Sequence, residues 1–167
     1  MAILDIVKYP NPILLEKSKI VWNIKSDEMA SFLQSLEETM YATGGIGIAA
    51  IQVGNPSRIF ILNVGSEDER ETKVFINPSI RTTEDEPRIG KEGCLSFPGL
   101  TIQVLRKPFV EVTAQDEQGE EFTWEADGLL SRAVQHEMDH LDGGLFIDRL
   151  GHLKRQMTIK KYLKVRK

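Results

Sequence analysis

Apolar residues between positions 26 and 42 recur at helical spacing, with Met29, Phe32, Leu33, Leu36 and Met40 on one face. The pattern predicts an amphipathic helix. Ser26 stands at the N-cap, Asp27 and Glu28 suit the positive end of the first turn, and Gly44-Gly45 stops the run. The pattern then changes. Arg58–Asn63, Lys73–Asn77, Leu100–Leu105, Val110–Ala114 and Glu121–Glu125 are rich in Val, Ile, Phe and Thr and predict strands. Glu117-Gln118-Gly119-Glu120 predicts a hairpin turn between the last two. The links are too short for parallel crossovers, so the sheets are expected to be mostly antiparallel. Helical spacing returns over 127–142, where Leu130, Ala133, Val134, Met138 and Leu141 form a stripe that Gly143-Gly144 terminates. Residues 152–165 predict a third helix. Strands in one block between helices indicate an α+β fold. Its mostly antiparallel sheets surround a central helix, with one helix towards each terminus.

At 167 residues the chain is expected to form a single domain, 1–167. It carries no internal repeat. Its single cysteine, Cys94, excludes an internal disulfide, suits a reducing compartment and is a candidate for chemistry. Asp5 and Lys8 interrupt the first apolar run, which therefore reads as neither a secretory segment nor a membrane span. A cytoplasmic protein with no membrane or DNA partner is expected. The net charge of −4 hides an asymmetry. No acidic residue follows Asp148, and 151–167 holds Lys154, Arg155, Lys160, Lys161, Lys164, Arg166 and Lys167. Such a basic tail on an acidic body suits a polyanionic partner.

His136-Glu137-Met138-Asp139-His140 is an H-E-x-x-H sequence inside the second long helix. Residues four apart share a helix face, so both imidazoles can grip one ion while Glu137 reaches a water on it. A solvated helix that carries the pattern by chance is the competing reading. A catalytic site of this type uses three protein ligands and keeps one position open. His152, in the basic tail, is a poor third donor. Cys94 is the better one, in the tight segment Lys91-Glu92-Gly93-Cys94-Leu95-Ser96-Phe97-Pro98-Gly99. A buried inert thiol is the alternative. A Cys/His/His set accepts iron(II), zinc, cobalt or nickel, and the ligand types do not choose between zinc and iron(II).

The third informative stretch runs from Gly44 to Gly54. No lysine follows at a phosphate-loop position, so a loop that pairs with an extended peptide is the better reading. Gln52 would aim its amide at a developing oxyanion. A tight, closely packed turn is the plain alternative.

Three motifs stand in order: Gly45-Ile46-Gly47-Ile48-Ala49-Ala50-Ile51-Gln52, Glu92-Gly93-Cys94-Leu95-Ser96 and Gln135-His136-Glu137-Met138-Asp139-His140-Leu141-Asp142-Gly143. With them the chain closely resembles the peptide deformylase family, of the bacterial type, over nearly its whole length. The resemblance implies removal of the N-formyl group from the initiator methionine of nascent polypeptides, with release of formate. It implies Cys94, His136 and His140 as metal ligands and Glu137 as the proton carrier. The N–H of Leu95 and the side chain of Gln52 would stabilise the oxyanion. Gly45, Ile46, Gly47, Gly93, Leu129 and Ala133 would contact the substrate. The implied cofactor is one divalent ion, Fe2+ in the cell, with Zn2+, Ni2+ or Co2+ also held by the purified protein. Arg132 stands at a position expected to be apolar in many relatives. Its stem is expected to cover the methionine pocket while its charge reaches water. Glu92 is expected to pair with Arg106, and Asp139 to point outward or to anchor a hydrogen bond. Trp22 and Trp124 are expected in the core or on a sheet face. Besides nascent N-formylmethionyl peptides, the ribosome is an expected partner through residues 151–167; a solvated terminal helix is the competing reading. The rival functions are a small H-E-x-x-H zinc peptidase and a structural module with a four-donor buried metal.

Overall fold

The computed structural model describes residues 2–166; Met1 and Lys167, the last basic residue of the tail, lie outside them. Helix α1 spans Asp27–Ala42, and Ser26 caps it through a hydrogen bond from the Met29 N–H. Seven strands follow: β1 Gly47–Ala49, β2 Ile59–Asn63, β3 Thr72–Thr82, β4 Arg88–Cys94, β5 Phe97–Arg106, β6 Phe109–Gln115 and β7 Glu121–Asp127. Helix α2 spans Gly128–Leu141 and α3 spans His152–Arg166. One sheet has the order β1-β2-β3-β6-β7, while β4 and β5 form a separate hairpin. All these strand pairs are antiparallel, as expected.

The period of two along β2 explains how the layers assemble. Phe60 and Leu62 face Val134, Met138 and Leu141 of α2. Ile59 and Ile61 face Leu36 and Met40 of α1. The strand is thus buried on both sides, and the sheet lies between the two helices. A third cluster packs Phe97, Ile102 and Val104 of β5 against Phe146 and Tyr162, which docks α3 behind the hairpin.

Three departures from the expected elements have physical reasons. β4 carries two glycines and three charged residues, so its low strand propensity hides it. β1 has only three residues. β3 continues past Asn77 because a register shift absorbs Pro78: Asn77 takes a positive φ of 54°, and its side chain bonds both the N–H and the carbonyl of Val21. Trp124 packs on Phe75. Trp22 contradicts its expected place, since it is 89% exposed on the irregular N-terminal segment.

Candidate metal centre

α2 presents the histidines. Arg132, His136 and His140 recur every four residues and so share one face of it. The helix must end at Gly143, which has φ 82°; a Cβ there would lie 2.7 Å from the carbonyl oxygen of Leu15. The β4–β5 hairpin presents the thiol. Its register shifts between Gly93 and Cys94, so that Cys94 pairs with Phe97 across a tight turn.

These two elements bring the donor atoms of Cys94, His136 and His140 within 4.8 Å of one another. The Cys94 sulfur lies 3.4 Å from Nε2 of His140. Nδ1 of His136 donates to Oε1 of Glu92 at 2.9 Å. Glu92 also accepts from Nε and Nη2 of Arg106, at 2.9 and 3.0 Å, and from Nη1 of Arg132 at 2.8 Å. Arg106 extends the network to Asp139, which also receives Arg149. Asp139 is therefore an anchor rather than an outward residue, and the expected Glu92–Arg106 pair is present.

The charges follow from this wiring. Burial pushes the Glu92 carboxyl up, but hydrogen bonds from His136 and Arg106 outweigh it and hold the group at about 2. Burial pushes His136 down, but its contacts with Cys94 and Glu92 prevail and hold it at about 10. His140 is driven well below the ordinary range by burial, reinforced by the charges of His136 and Arg106. Burial raises Glu137 to about 7, against the pull of His136.

A soft divalent ion fits this donor set. One sulfur and two imidazoles converge from two rigid elements, His140 is held neutral, and a carboxylate fixes the far nitrogen of His136, as outer partners of metal-bound imidazoles do. Three protein donors leave a position for a reactant, unlike a closed structural site.

A cleft of about 600 Å³ opens beside these donors, lined by residues from all three sequence motifs. Gly47 lies between Leu62 and Glu137, and a Cβ there would come within 2.7 Å of the Leu62 side chain. Oε1 of Gln52 accepts from the Ala49 N–H at 3.0 Å, and Nε2 donates to Ser96 Oγ at 3.2 Å, 3.7 Å from the Cys94 sulfur. Buried Glu137 keeps Oε2 without a protein partner among the described residues.

Residues 3–156 match the family described as polypeptide deformylase. The chain belongs to the polypeptide deformylase family. A peptide deformylase of Zymomonas mobilis is 42% identical over 172 residues, covering 100% of this chain and 97% of its own. One from Thermodesulfovibrio yellowstonii is 43% identical over 163 residues, covering 97% and 98%. The solved peptide deformylase of Ehrlichia chaffeensis in complex with actinonin superposes with a TM-score of 0.90 at 36% identity, over 98% of each chain. The α+β deformylase fold is thus this chain's fold.

Of the residues expected at the site, Gly45, Ile46, Gly47, Gln52, Gly93, Cys94, Leu95, Leu129, Ala133, His136 and Glu137 line the one cleft. Leu129 and Ile46 are substantially exposed and sit at its rim. His140 is buried behind it. Arg132 needs correction: its guanidinium turns into the protein onto Glu92, Val104 O and Arg88 O instead of reaching water. Its four-residue spacing from His136 was the available signal. Two contacts had no signal in the sequence: fully buried Ser96 accepts from Gln52, and the Phe146 and His136 rings meet in a T-shaped contact with centroids 5.4 Å apart.

Proposed function

We propose that this chain hydrolyses the N-formyl amide of the initiator methionine on nascent polypeptides, releasing formate and a free amine. The observation that carries this reading is the convergence of Cys94, His136 and His140 beside buried Glu137 in a cleft lined by all three motifs. Cys94, His136 and His140 would hold one divalent ion. When bound, it supplies Lewis acidity that makes water ionise near neutral pH and polarises the formyl carbonyl. Iron(II) is our reading for the cell, since abundance there overrides the greater intrinsic affinity of zinc.

Glu137 takes the proton of the attacking water and passes it to the leaving amine. Its burial suits it to both steps, because a proton carrier works best with a pKa near the operating pH, and this carboxyl sits at about 7. The Gln52 amide, held at both ends by Ala49 and Ser96, donates to the oxyanion together with the Leu95 N–H. β1 is the edge of its sheet, so a peptide can lie beside Gly45–Gly47 as an added strand. Gly47 bonds the substrate backbone, Gly93 keeps the opposite wall low, and Ile46, Leu129 and Ala133 take the methionine side chain.

Such an enzyme works in the cytoplasm as one domain, 1–167, where chains emerge. Among the described residues no helix is long and apolar enough to cross a membrane. Lys154, Lys160, Lys161 and Lys164 are exposed on α3, which supports docking on ribosomal RNA. Ribosome sedimentation should lose the protein when 151–167 is deleted or salt is raised; binding indifferent to both rejects the docking. Formate release from a formyl-Met peptide tests the activity itself. Cleavage of an internal peptide bond without formate would instead make the chain a peptidase.

A further inference from the structure

Arg132 is wired unlike a cleft residue that merely covers apolar surface. Nη1 donates to Glu92 Oε2 at 2.8 Å and to the Val104 carbonyl at 2.7 Å, while Nη2 donates to the Arg88 carbonyl at 2.8 Å. Three bonds to two strands pin a side chain that is otherwise among the most flexible. The guanidinium lies flat on Gly90. A Cβ at Gly90 would stand 2.7 Å from both Cζ and Nη2 of Arg132. Arg132 lines the cleft next to Ala133 and one helical turn from Leu129, while Gly90, which is not among the lining residues, packs against its guanidinium.

Given the deformylase activity, we infer that Arg132 determines substrate specificity: its pinned guanidinium is the end wall of the first-residue pocket and sets how long a side chain the pocket takes. Truncating it removes the wall and opens the space down to the bare backbone of Gly90. The missing Cβ of Gly90 and the presence of Arg132 are two halves of one device. An alanine at 90 must push the guanidinium off its acceptors towards the cleft, but in a chain that lacks the arginine the same methyl group meets open space and partly rebuilds the wall.

The test uses metal-loaded enzyme and formyl peptides whose first residue carries an unbranched alkyl side chain of increasing length, norleucine being the methionine-sized member. The wild type should lose kcat/KM beyond the methionine length. Arg132→Ala should move the optimum to longer chains, changing the long-to-norleucine ratio by about tenfold, the scale of a methylene or two in an apolar pocket. Gly90→Ala alone should raise KM for norleucine, and Gly90→Ala in the Arg132→Ala background should shift the optimum back. Calorimetric binding of the same peptides in a Glu137→Gln background should follow the same order without turnover. Glu92 retains Arg106 and His136 in these variants, and Gly90→Ala supplies the test if Arg132→Ala does not fold. A length profile that Arg132→Ala leaves within about twofold of the wild type, or Gly90→Ala effects that simply add to it, overturns the end wall. No formate release by the wild type from any member would overturn the deformylase activity on which it rests.

Discussion

Glu92 holds His136: its carboxylate accepts the Nδ1 hydrogen of that imidazole at 2.9 Å while two arginines clamp the same two oxygens. The ring is fixed before any ion arrives. Because a lone buried carboxylate would be expensive, Arg106 and Arg132 are the counter-charges that make this anchoring possible.

Stability should carry the signature of that carboxylate. A carboxyl with a depressed folded-state pKa stabilises only when ionised. Its contribution is complete above the ordinary value of 4.5 and is lost as pH falls towards about 2. The shift corresponds to about 3 kcal/mol across that window. Urea midpoints of the metal-free protein should fall steeply between these limits, and Glu92→Gln should flatten that limb. An unchanged acid limb in the variant would assign the acid sensitivity elsewhere.

Loading the metal should release protons. Burial opposes the proton on His136, but Cys94 and Glu92 hold it there up to a pKa of about 10, so at pH 7.5 the ring enters the reaction protonated. Zinc titrations in buffers of different ionisation enthalpy should report at least one proton released per ion. Affinity should rise about tenfold per pH unit for each proton displaced. Buffer-independent heats would contradict the assigned state of His136.

Glu137→Gln should keep the ion and lose turnover, since Glu137 is outside the candidate donor set and the proposed mechanism routes all of the proton transfer through it. A loss of about 100-fold or more in kcat is expected at unchanged metal content. A variant that turns over normally would remove Glu137 from its role.

Gln52 and Ser96 should behave as donor and holder. Gln52→Ala removes an oxyanion donor and should cost about 100-fold in kcat. Ser96→Ala leaves the donor but frees one end of it, a loss of about one hydrogen bond, or about fivefold in kcat with KM little changed. Equal losses in the two variants would mean that Ser96 acts in some other way.

Helices α1 and α2 were legible within a residue or so because each buries one face, which writes a 3.6-residue period into the chain. The candidate donor set was legible for a related reason: four-residue spacing on a helix and a single thiol leave few alternatives, and the structure brings those three side chains together. β4 was not, since Gly90 and Gly93 replace the branched residues that mark a strand, the first making room for Arg132. The destination of Arg132 was equally hidden, because two of its three acceptors are backbone carbonyls, which no side chain announces. Trp22 was misplaced because its exposure depends on what the N-terminal segment packs against, not on its own apolarity.

X-ray absorption of the iron- or zinc-loaded protein, with metal counted per chain, tests the central claim most directly. The account predicts one ion per chain, with one sulfur neighbour, two imidazole nitrogens and a remaining light-atom donor that exchanges with solvent, and loss of the sulfur shell in Cys94→Ser. An ion with no sulfur neighbour, or one closed in by four protein donors, would contradict it.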